Sequence, residues 1–235
     1  MSEDFESSPS DFLNALDAAI ERHALLKHPF YQMWNEGRLS QPILAEYAKQ
    51  YYAHVAAFPR YVSAVHTQCA DISLRQQLLE NLIEEERGAD NHPELWLRFA
   101  EGLGVSRDEV LEADYLDSTR DSVARFHEIA GQRGALEGLA ALYAYESQVP
   151  DVARTKREGL KAFYGLDDPR SVAFFTVHEA ADVLHREMER DALAAHTPLE
   201  RQPDVLAAAE DAAQALWSFL DGVYEAYCAG GIGQA

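Results

Sequence analysis

The amino-acid sequence predicts an all-α protein that folds as one domain of about eight to ten helices. Nearly every long segment of its 235 residues carries apolar side chains at helical spacing. Alternating strand patterns bounded by turn residues are hard to find. No repeat, linker or low-complexity block divides the chain, and 47% of its residues are hydrophobic, which is enough for a buried core.

The two ends of the chain are predicted to lie outside the helical domain. Residues 1–9 are mostly acidic and polar and predict a flexible tail, and residues 229–235 predict a second one. The domain itself is expected over residues 10–228. Ser10 is placed to cap its first helix, because a serine hydroxyl accepts a hydrogen bond from an unsatisfied backbone N–H at a helix start.

Serine, proline and aspartate mark the starts of the next helices. A short aromatic-rich segment leads to Ser40 and Pro42, which begin a long helix because proline is tolerated in the first turn. Pro59 is expected to bend that helix rather than end it. Asp71 or Ser73 opens the following helix, which runs through an acidic segment.

The middle of the chain shows three further boundaries. Pro93 should kink or restart the chain directly after His92, because the residue before a proline disfavours helical backbone. Ser106 with Glu109 three residues later predicts a capping box. Gly134 separates two helices, of which the first covers roughly residues 117–132.

The last third of the chain predicts three more helices. Pro150 breaks the preceding run, and helix continues after it. Asp168 and Pro169 are placed as the cap and first position of a long helix that contains the segment HEAADVLH. The final helix is predicted over about residues 203–228.

The composition excludes several classes of partner. Forty acidic residues against twenty Lys and Arg leave a net charge of -20, which should repel nucleic acid and anionic membrane surfaces. No apolar run approaches a membrane span, and the N-terminus lacks the pattern of a signal peptide. Cys69 and Cys228 form no disulfide framework or zinc motif. We therefore expect a cytoplasmic protein.

One helix face in HEAADVLH carries three potential metal ligands. An α-helix turns about 100° per residue, so positions i, i+4 and i+7 share a face. His178, Asp182 and His185 follow this spacing. Two imidazoles and one carboxylate from a single helix are therefore predicted to point the same way. The same spacing also fits histidines on a solvated helix.

Two other segments supply the remaining candidates. In EEERGADNH, His92 lies seven residues after Glu85, about 20° from eclipsed if both share one helix. Glu146 is a carboxylate in an otherwise apolar helix, where burial is costly unless the group is paired or metal-bound. An acidic surface run and an exposed glutamate remain open as alternatives for these positions.

Together these segments predict a site for two metal ions. Three carboxylates and three imidazoles are typical of a pair of iron ions or of iron with manganese. Zinc would more often use cysteine or a histidine-rich closed set. Ferritin-like bundles use two Glu-x-x-His motifs, and this chain has only the related pair of Asp182 and His185. The layout therefore differs from that of ferritin.

The chain resembles a known family, the Chlamydia protein associating with death domains and its bacterial relatives. The resemblance covers about residues 12–228. It is carried by HPFYQMWNEGRL, QYYAHVAAFPRYVS, EEERGADNHPELWLRFAEGLG, YESQVPDVARTK and HEAADVLH. It implies the heme-oxygenase-like fold, shared with thiaminase and pyrroloquinoline-quinone synthase. It also implies an oxygen-dependent di-metal oxidase that makes 4-aminobenzoate for folate synthesis.

The resemblance assigns roles to ten residues. The metal ligands of the family fall on Glu85, His92, Glu146, His178, Asp182 and His185. The family consumes a tyrosine of the protein as the ring source and a lysine as the amine donor, and these match Tyr31 and Lys156. Two further active-site tyrosines match Tyr47 and Tyr145. Dioxygen, an external reductant and a homodimer are implied as well. By pattern alone, the tyrosines also fit core aromatics, and Lys156 fits a surface lysine.

Four alternative functions stay open at this point. A di-metal oxygenase acting on an external substrate would share all six ligands but would not need Tyr31 or Lys156. A thiaminase-like hydrolase would need Cys69 or Cys228 as nucleophile. A heme protein of this fold would use a histidine near the N-terminus, such as His23 or His28. A metal-independent helical interaction protein would need none of these residues.

Overall fold

A computed structural model describes residues 9–229, and their side chains except those of Pro9 and residues 180–183. This part of the chain contains no β-strand, so the all-α prediction is confirmed. Its α-helices are α1 (Pro9–Glu21), α2 (Pro29–Asn35), α3 (Gln41–Gln68), α4 (Ile72–Glu86), α5 (His92–Gly102), α6 (Arg107–Leu111), α7 (Asp117–Glu128), α8 (Ala135–Glu146), α9 (Val149–Phe163), α10 (Ala173–His196) and α11 (Gln202–Tyr227). Residues 1–8 and 230–235, most of the two predicted tails, lie outside the described residues.

The core of the bundle is centred on α8. This helix is apolar on nearly every face, and its residues from 137 to 146 are all buried. It packs against α3, α10 and α11, and a helix surrounded in this way must be hydrophobic all round. The close approach to α3 needs Gly138, since a Cβ there would lie 2.6 Å from Val65 Cγ2. Each described helix is too short or too polar to cross a bilayer.

Most predicted helix starts are found where the local chemistry placed them. α3 continues through Pro59. Asp71 caps α4 by accepting a hydrogen bond from the backbone N–H of Leu74. Ser106 and Glu109 form the predicted capping box at the start of α6. The sequence was sufficient to predict these helix starts because each capping side chain forms its hydrogen bond within the first turn of its own helix.

Two predicted helix starts are wrong. Ser10 was expected to cap the first helix, but α1 begins at Pro9 and already includes Ser10. Asp168 and Pro169 were expected to open the long helix, but α10 begins only at Ala173. The side chain of Asp168 accepts a hydrogen bond from the backbone N–H of Ser171, at 3.0 Å, and closes a turn ahead of the helix. The capping chemistry is therefore present, but it stabilises a turn.

The short helix α2 is tied down at both ends. At its start, His28 Nδ1 accepts a hydrogen bond from Phe30 N, and His28 Nε2 lies 3.0 Å from Asp221 Oδ1 on α11. At its other end, Trp34 Nε1 donates to the backbone oxygen of Lys156, at 3.1 Å. These contacts hold α2 against α9 and α11 and thereby position Tyr31.

His54 is a fully buried imidazole in α3 whose protonation state follows from its partners. Ser122 Oγ donates to the backbone oxygen of Ala215, so it accepts from His54 Nε2, at 2.9 Å. His54 Nδ1 is buried without a hydrogen-bond partner in the described structure. Burial lowers the pKa of His54 from 6.5 to about 3, so the ring is neutral in the folded protein.

This buried histidine should make the protein lose stability in acid. Below pH 6.5 the unfolded chain binds a proton at His54, whereas the folded chain does not until about pH 3. The free energy of unfolding should therefore fall by about 1.4 kcal/mol per pH unit across this window because of His54. Denaturant unfolding of wild type and His54→Gln between pH 7 and pH 4 should show the shallower decline in the variant. Parallel curves would contradict this assignment.

Candidate metal centre

Three predicted ligands converge in the interior of the bundle. Glu85 lies in the last turn of α4, His92 begins α5, and His178 lies in the first half of α10. All three are buried, and one ligand atom from each lies within 4.8 Å of the other two. The rings of His92 and His178 are 4.3 Å apart. One carboxylate and two imidazoles at this separation are suited to hold one metal ion.

Glu85 and His92 meet for a reason that differs from the predicted one. The prediction placed them on one helix, but α4 ends at Glu86 and a new helix begins at His92. Gly88 takes a positive φ of 82° in the intervening turn. Asn91 then caps α5. The turn brings the two side chains together across a helix junction.

The polar contacts of both histidines fit a bound cation. His178 Nδ1 lies 2.7 Å from the backbone oxygen of Phe174, which fixes the proton on Nδ1 and leaves Nε2 as the ligand atom. His92 Nδ1 lies 2.8 Å from Glu85 Oε1 but without hydrogen-bond alignment, and it is buried with no hydrogen-bond partner. Such a close and unbonded N···O pair is the arrangement expected of two ligands facing one ion.

Glu146 and His185 form the second half of the site. His185 Nδ1 lies 3.2 Å from Glu146 Oε1, and Asn81 Nδ2 donates to the same oxygen at 3.1 Å. Glu146 lines one cavity together with Glu85, His92 and His178, so the two halves are adjacent. The side chain of Asp182 lies outside the described residues, and its predicted role stays a prediction.

The protein environment favours the metal-binding form of His178 and Glu146. His185 shifts the other way, because burial would lower its pKa but its contacts with Glu146 and Glu84 raise it. Burial lowers the pKa of His178, and His92 lowers it further, so its ring is neutral. Burial would raise the pKa of Glu146, but hydrogen bonds to His185 and Glu189 outweigh it and lower the pKa. Burial raises the pKa of Glu85, and the contact with His92 offsets part of that effect. Neutral imidazole and ionised carboxylate are the ligand states that metals require.

Next to the ligands lies a buried cluster of two tyrosines and a lysine. Tyr31 and Tyr47 share a hydrogen bond between their hydroxyls at 2.8 Å, and Lys156 Nζ lies 2.6 Å from the Tyr47 hydroxyl. The same Nζ lies 4.5 Å from the centre of the Tyr31 ring. Lys156 is only 4% exposed, so the surface-lysine alternative is wrong. Burial lowers the pKa of Lys156 well below its ordinary value, which favours a neutral amine.

Two small cavities lie beside the ligands and this cluster and share part of their lining. One is lined by metal-ligand candidates and the other by Lys156, and both are lined by Tyr51, Tyr145 and Phe174. Each leaves about 20 Å³ for a water-sized molecule. That volume holds a water or a diatomic gas, whereas an engineered cavity known to take up benzene measures about 150 Å³.

Comparison with known proteins places the chain in a family. Residues 45–217 match the family model of iron-containing redox enzymes. The chain belongs to this family. It is 46% identical over 229 residues to a 4-aminobenzoate synthase of Nitrosomonas europaea, with 93% of each protein covered. A 4-aminobenzoate synthase of Chlamydia pneumoniae is 41% identical over 211 residues, covering 90% of this chain and 94% of that protein.

The fold implied by the sequence is also found among solved structures. A domain of unknown function with a heme oxygenase-like fold from Shewanella denitrificans superimposes with a TM-score of 0.78. The match covers 96% of each chain at 19% identity, and this degree of identity supports the fold alone. The resemblance stated from the sequence motifs is therefore confirmed at the level of family and fold.

The described contacts count against His28 as a heme ligand and against a thiaminase-like nucleophile. Both nitrogens of His28 contact protein groups, so neither is available to a heme iron. Cys69 Sγ points to the backbone oxygen of Asp71 at the end of α3, and neither cysteine is among the described residues lining the two cavities. A thiaminase-like nucleophile is therefore not present at this site.

Sequence reasoning missed four side chains of the site. They are Tyr51, Asn81, Glu84 and Glu189. A simple signal points to three of them: each lies four residues from a predicted site residue, on the same face of its helix. The fourth, Glu84, directly precedes Glu85, and its Oε2 lies 3.2 Å from His185 Nε2, where α10 packs against α4.

Removal of one ligand should abolish metal binding at the first half of the site. We expect His178→Ala to lose most of its metal, because a truncated ligand leaves Glu85 and His92 without the third donor. Outer-sphere changes already cost roughly 10- to 100-fold in affinity, and loss of a ligand should cost at least that. Metal analysis after equilibrium dialysis measures the effect. His196→Ala, an exposed position on the same helix, is the matched control and should keep its metal; equal metal content in the two variants would sink the assignment.

Proposed function

We propose that this protein is an oxygen-dependent 4-aminobenzoate synthase that uses its own Tyr31 as the ring source and Lys156 as the amine donor. The observation that carries the proposal is the enclosed contact of these two side chains beside the ligand cavity. The similarity of this chain to proteins named 4-aminobenzoate synthase supports 4-aminobenzoate as the product. The small cavities favour a substrate that is part of the chain over an external aromatic molecule.

The covalent structure of tyrosine suits this product. A tyrosine side chain carries one carbon and one oxygen para to each other on the ring. Cleavage of the Cα–Cβ bond releases the ring with that carbon attached, and oxidation of the carbon gives the carboxylate. The Lys156 nitrogen then condenses with the oxidised ring and expels the phenol oxygen as water. Hydrolytic cleavage of the Cε–Nζ bond, which leaves Cε as an aldehyde, frees 4-aminobenzoate. Dioxygen is the oxidant in this scheme.

The chain's own residues prepare this reaction in three ways. Burial lowers the pKa of Lys156 well below its ordinary value and so favours the neutral amine, which is a nucleophile. The hydrogen bond to Tyr47 holds Nζ over the Tyr31 ring, within 4.5 Å of its centre. The aromatic surroundings exclude bulk water from the ring, which protects a reactive intermediate from side reactions.

Metal ions would supply the activation of oxygen. Glu85, His92 and His178 are proposed to hold one ion, and Glu146, Asp182 and His185 the second. Oxygen and imidazole donors fit two irons or iron with manganese. A cytoplasmic homodimer that draws electrons from an external reductant remains the expected setting. A chain that consumes Tyr31 and Lys156 should make at most a single product molecule unless these residues are restored.

The proposal predicts which residues rescue growth. In a bacterial strain lacking its usual 4-aminobenzoate enzymes, aerobic expression of the wild type should restore growth, whereas Tyr31→Phe and Lys156→Arg should not. Phenylalanine lacks the oxidisable phenol, and arginine stays charged and is a poor nucleophile. Peptide mapping of the purified wild type after exposure to air should show loss of the Tyr31 side chain.

Two variants serve as matched controls for that experiment. Tyr52→Phe changes a half-buried tyrosine of α3, and Lys161→Arg changes an exposed lysine of α9. Both should rescue growth as the wild type does. Rescue by Tyr31→Phe at the wild-type level would instead favour a di-metal oxygenase that acts on an external substrate.

A further inference from the structure

Tyr51 connects the two parts of the site that the proposed function needs. It lies one helical turn after Tyr47 on α3 and is buried. Its hydroxyl lies 2.5 Å from the hydroxyl of Tyr145, the residue directly before Glu146. Its ring stacks on that of Tyr47, with centres 5.5 Å apart and planes inclined by 25°. Tyr51 therefore contacts one neighbour on each side of the site.

The cavities show the same bridging position. Tyr51 lines the cavity that contains Glu85, His92 and Glu146, and it also lines the cavity that contains Lys156. Tyr31 and Tyr47 are not among the described residues lining the first of these cavities. Tyr51 and Tyr145, rather than Tyr31 and Tyr47, therefore line the cavity beside the residues that would hold the oxygen-activating metals.

We propose that Tyr51 is the redox relay through which an electron passes from the Tyr31–Tyr47 pair to the metal site. The inference rests on the proposed function, because it explains how Tyr31 is oxidised without direct contact with the ligands. Stacked rings of Tyr47 and Tyr51 provide the path, and the hydroxyl contact with Tyr145 extends it to the start of the ligand cluster.

The electrons and protons of this step balance within the described residues and one oxidant of the metal–oxygen class. The oxidant gains one electron, which Tyr47 supplies through Tyr51. The proton of the Tyr47 hydroxyl passes to the Lys156 amine, whose Nζ lies 2.6 Å from the Tyr47 oxygen. The Tyr47 radical then takes a hydrogen atom from the Tyr31 hydroxyl across 2.8 Å. The net result is a Tyr31 radical, a protonated Lys156 and an oxidant reduced by one electron.

The buried Lys156 is suited to accept this proton only temporarily. Because burial lowers the pKa of Lys156 well below its ordinary value, the ammonium form would pass its proton to a water in the adjoining cavity, which has room for one. The amine is then neutral again for its reaction with the ring. A relay in which Tyr51 only passes electrons needs no net change in its own protonation, which fits its enclosed position.

Substitution of Tyr51 distinguishes an electron-relay role of this residue from a role in packing alone. Tyr51→Phe keeps the stacked ring and removes only the hydroxyl and the low oxidation potential. The relay predicts that the yield of 4-aminobenzoate per chain falls at least about tenfold, while bound metal and the thermal midpoint stay near the wild-type values. Tyr61→Phe, a buried tyrosine of the same helix outside the cluster, is the matched control and should keep the full yield. Full yield from Tyr51→Phe would overturn the relay.

A second variant tests the relay independently of product formation. Genetically encoded 3-aminotyrosine at position 51 is oxidised more easily than tyrosine and should trap the radical there. After the metal-loaded protein meets oxygen, freeze-quench electron paramagnetic resonance should show an aminotyrosyl radical, whereas 3-aminotyrosine at position 61 should give none. Absence of the radical at position 51 would overturn the relay. A radical at 51 in a protein whose wild type makes no 4-aminobenzoate would support the relay and overturn the proposed function.

Discussion

Ionisable side chains buried inside an apolar helical bundle are the constraint on which the rest of the structure depends. Glu85, Glu146 and Glu189 are withdrawn from water, and so are His92 and His178. A buried charge without a partner costs several kcal/mol even after relaxation. The close but unaligned contact between Glu85 and His92 leaves part of that cost uncompensated by hydrogen bonding. A bound cation would offset it, so metal binding and the stability of this region are expected to be coupled.

The same burial determines the chemistry of Lys156. An amine at the surface would be charged and unreactive, whereas this one lies among aromatic rings and is favoured in its neutral form. Its hydrogen bond to Tyr47 then fixes the direction in which the nitrogen points. The cavities around it have room for small molecules only. One packing arrangement therefore both buries the Lys156 amine and limits the space beside it.

The central helix α8 links the metal ligands to the aromatic cluster. Its last two residues are Tyr145 and Glu146, so a phenol and a candidate ligand carboxylate lie on the same helical turn. Tyr145 contacts Tyr51 on α3, and Glu146 contacts His185 on α10. The close packing of α3 and α8 at Gly138 holds these contacts in place. A change in the spacing of the two helices would alter both the metal site and the path to Tyr47.

Most of the fold and the identity of the candidate ligands could be read from the sequence, because they depend on short-range chemistry. Helical periodicity, the cap at Asp71 and the capping box at Ser106 operate within a turn or two. The i, i+4, i+7 spacing likewise placed His178 and His185 on one face. The tertiary structure alone decided which residues meet across helices. It brought Glu85 to His92 through a turn, buried Lys156 against Tyr47, and inserted Tyr51 between the two clusters, since such contacts depend on the packing of α3, α8, α9 and α10.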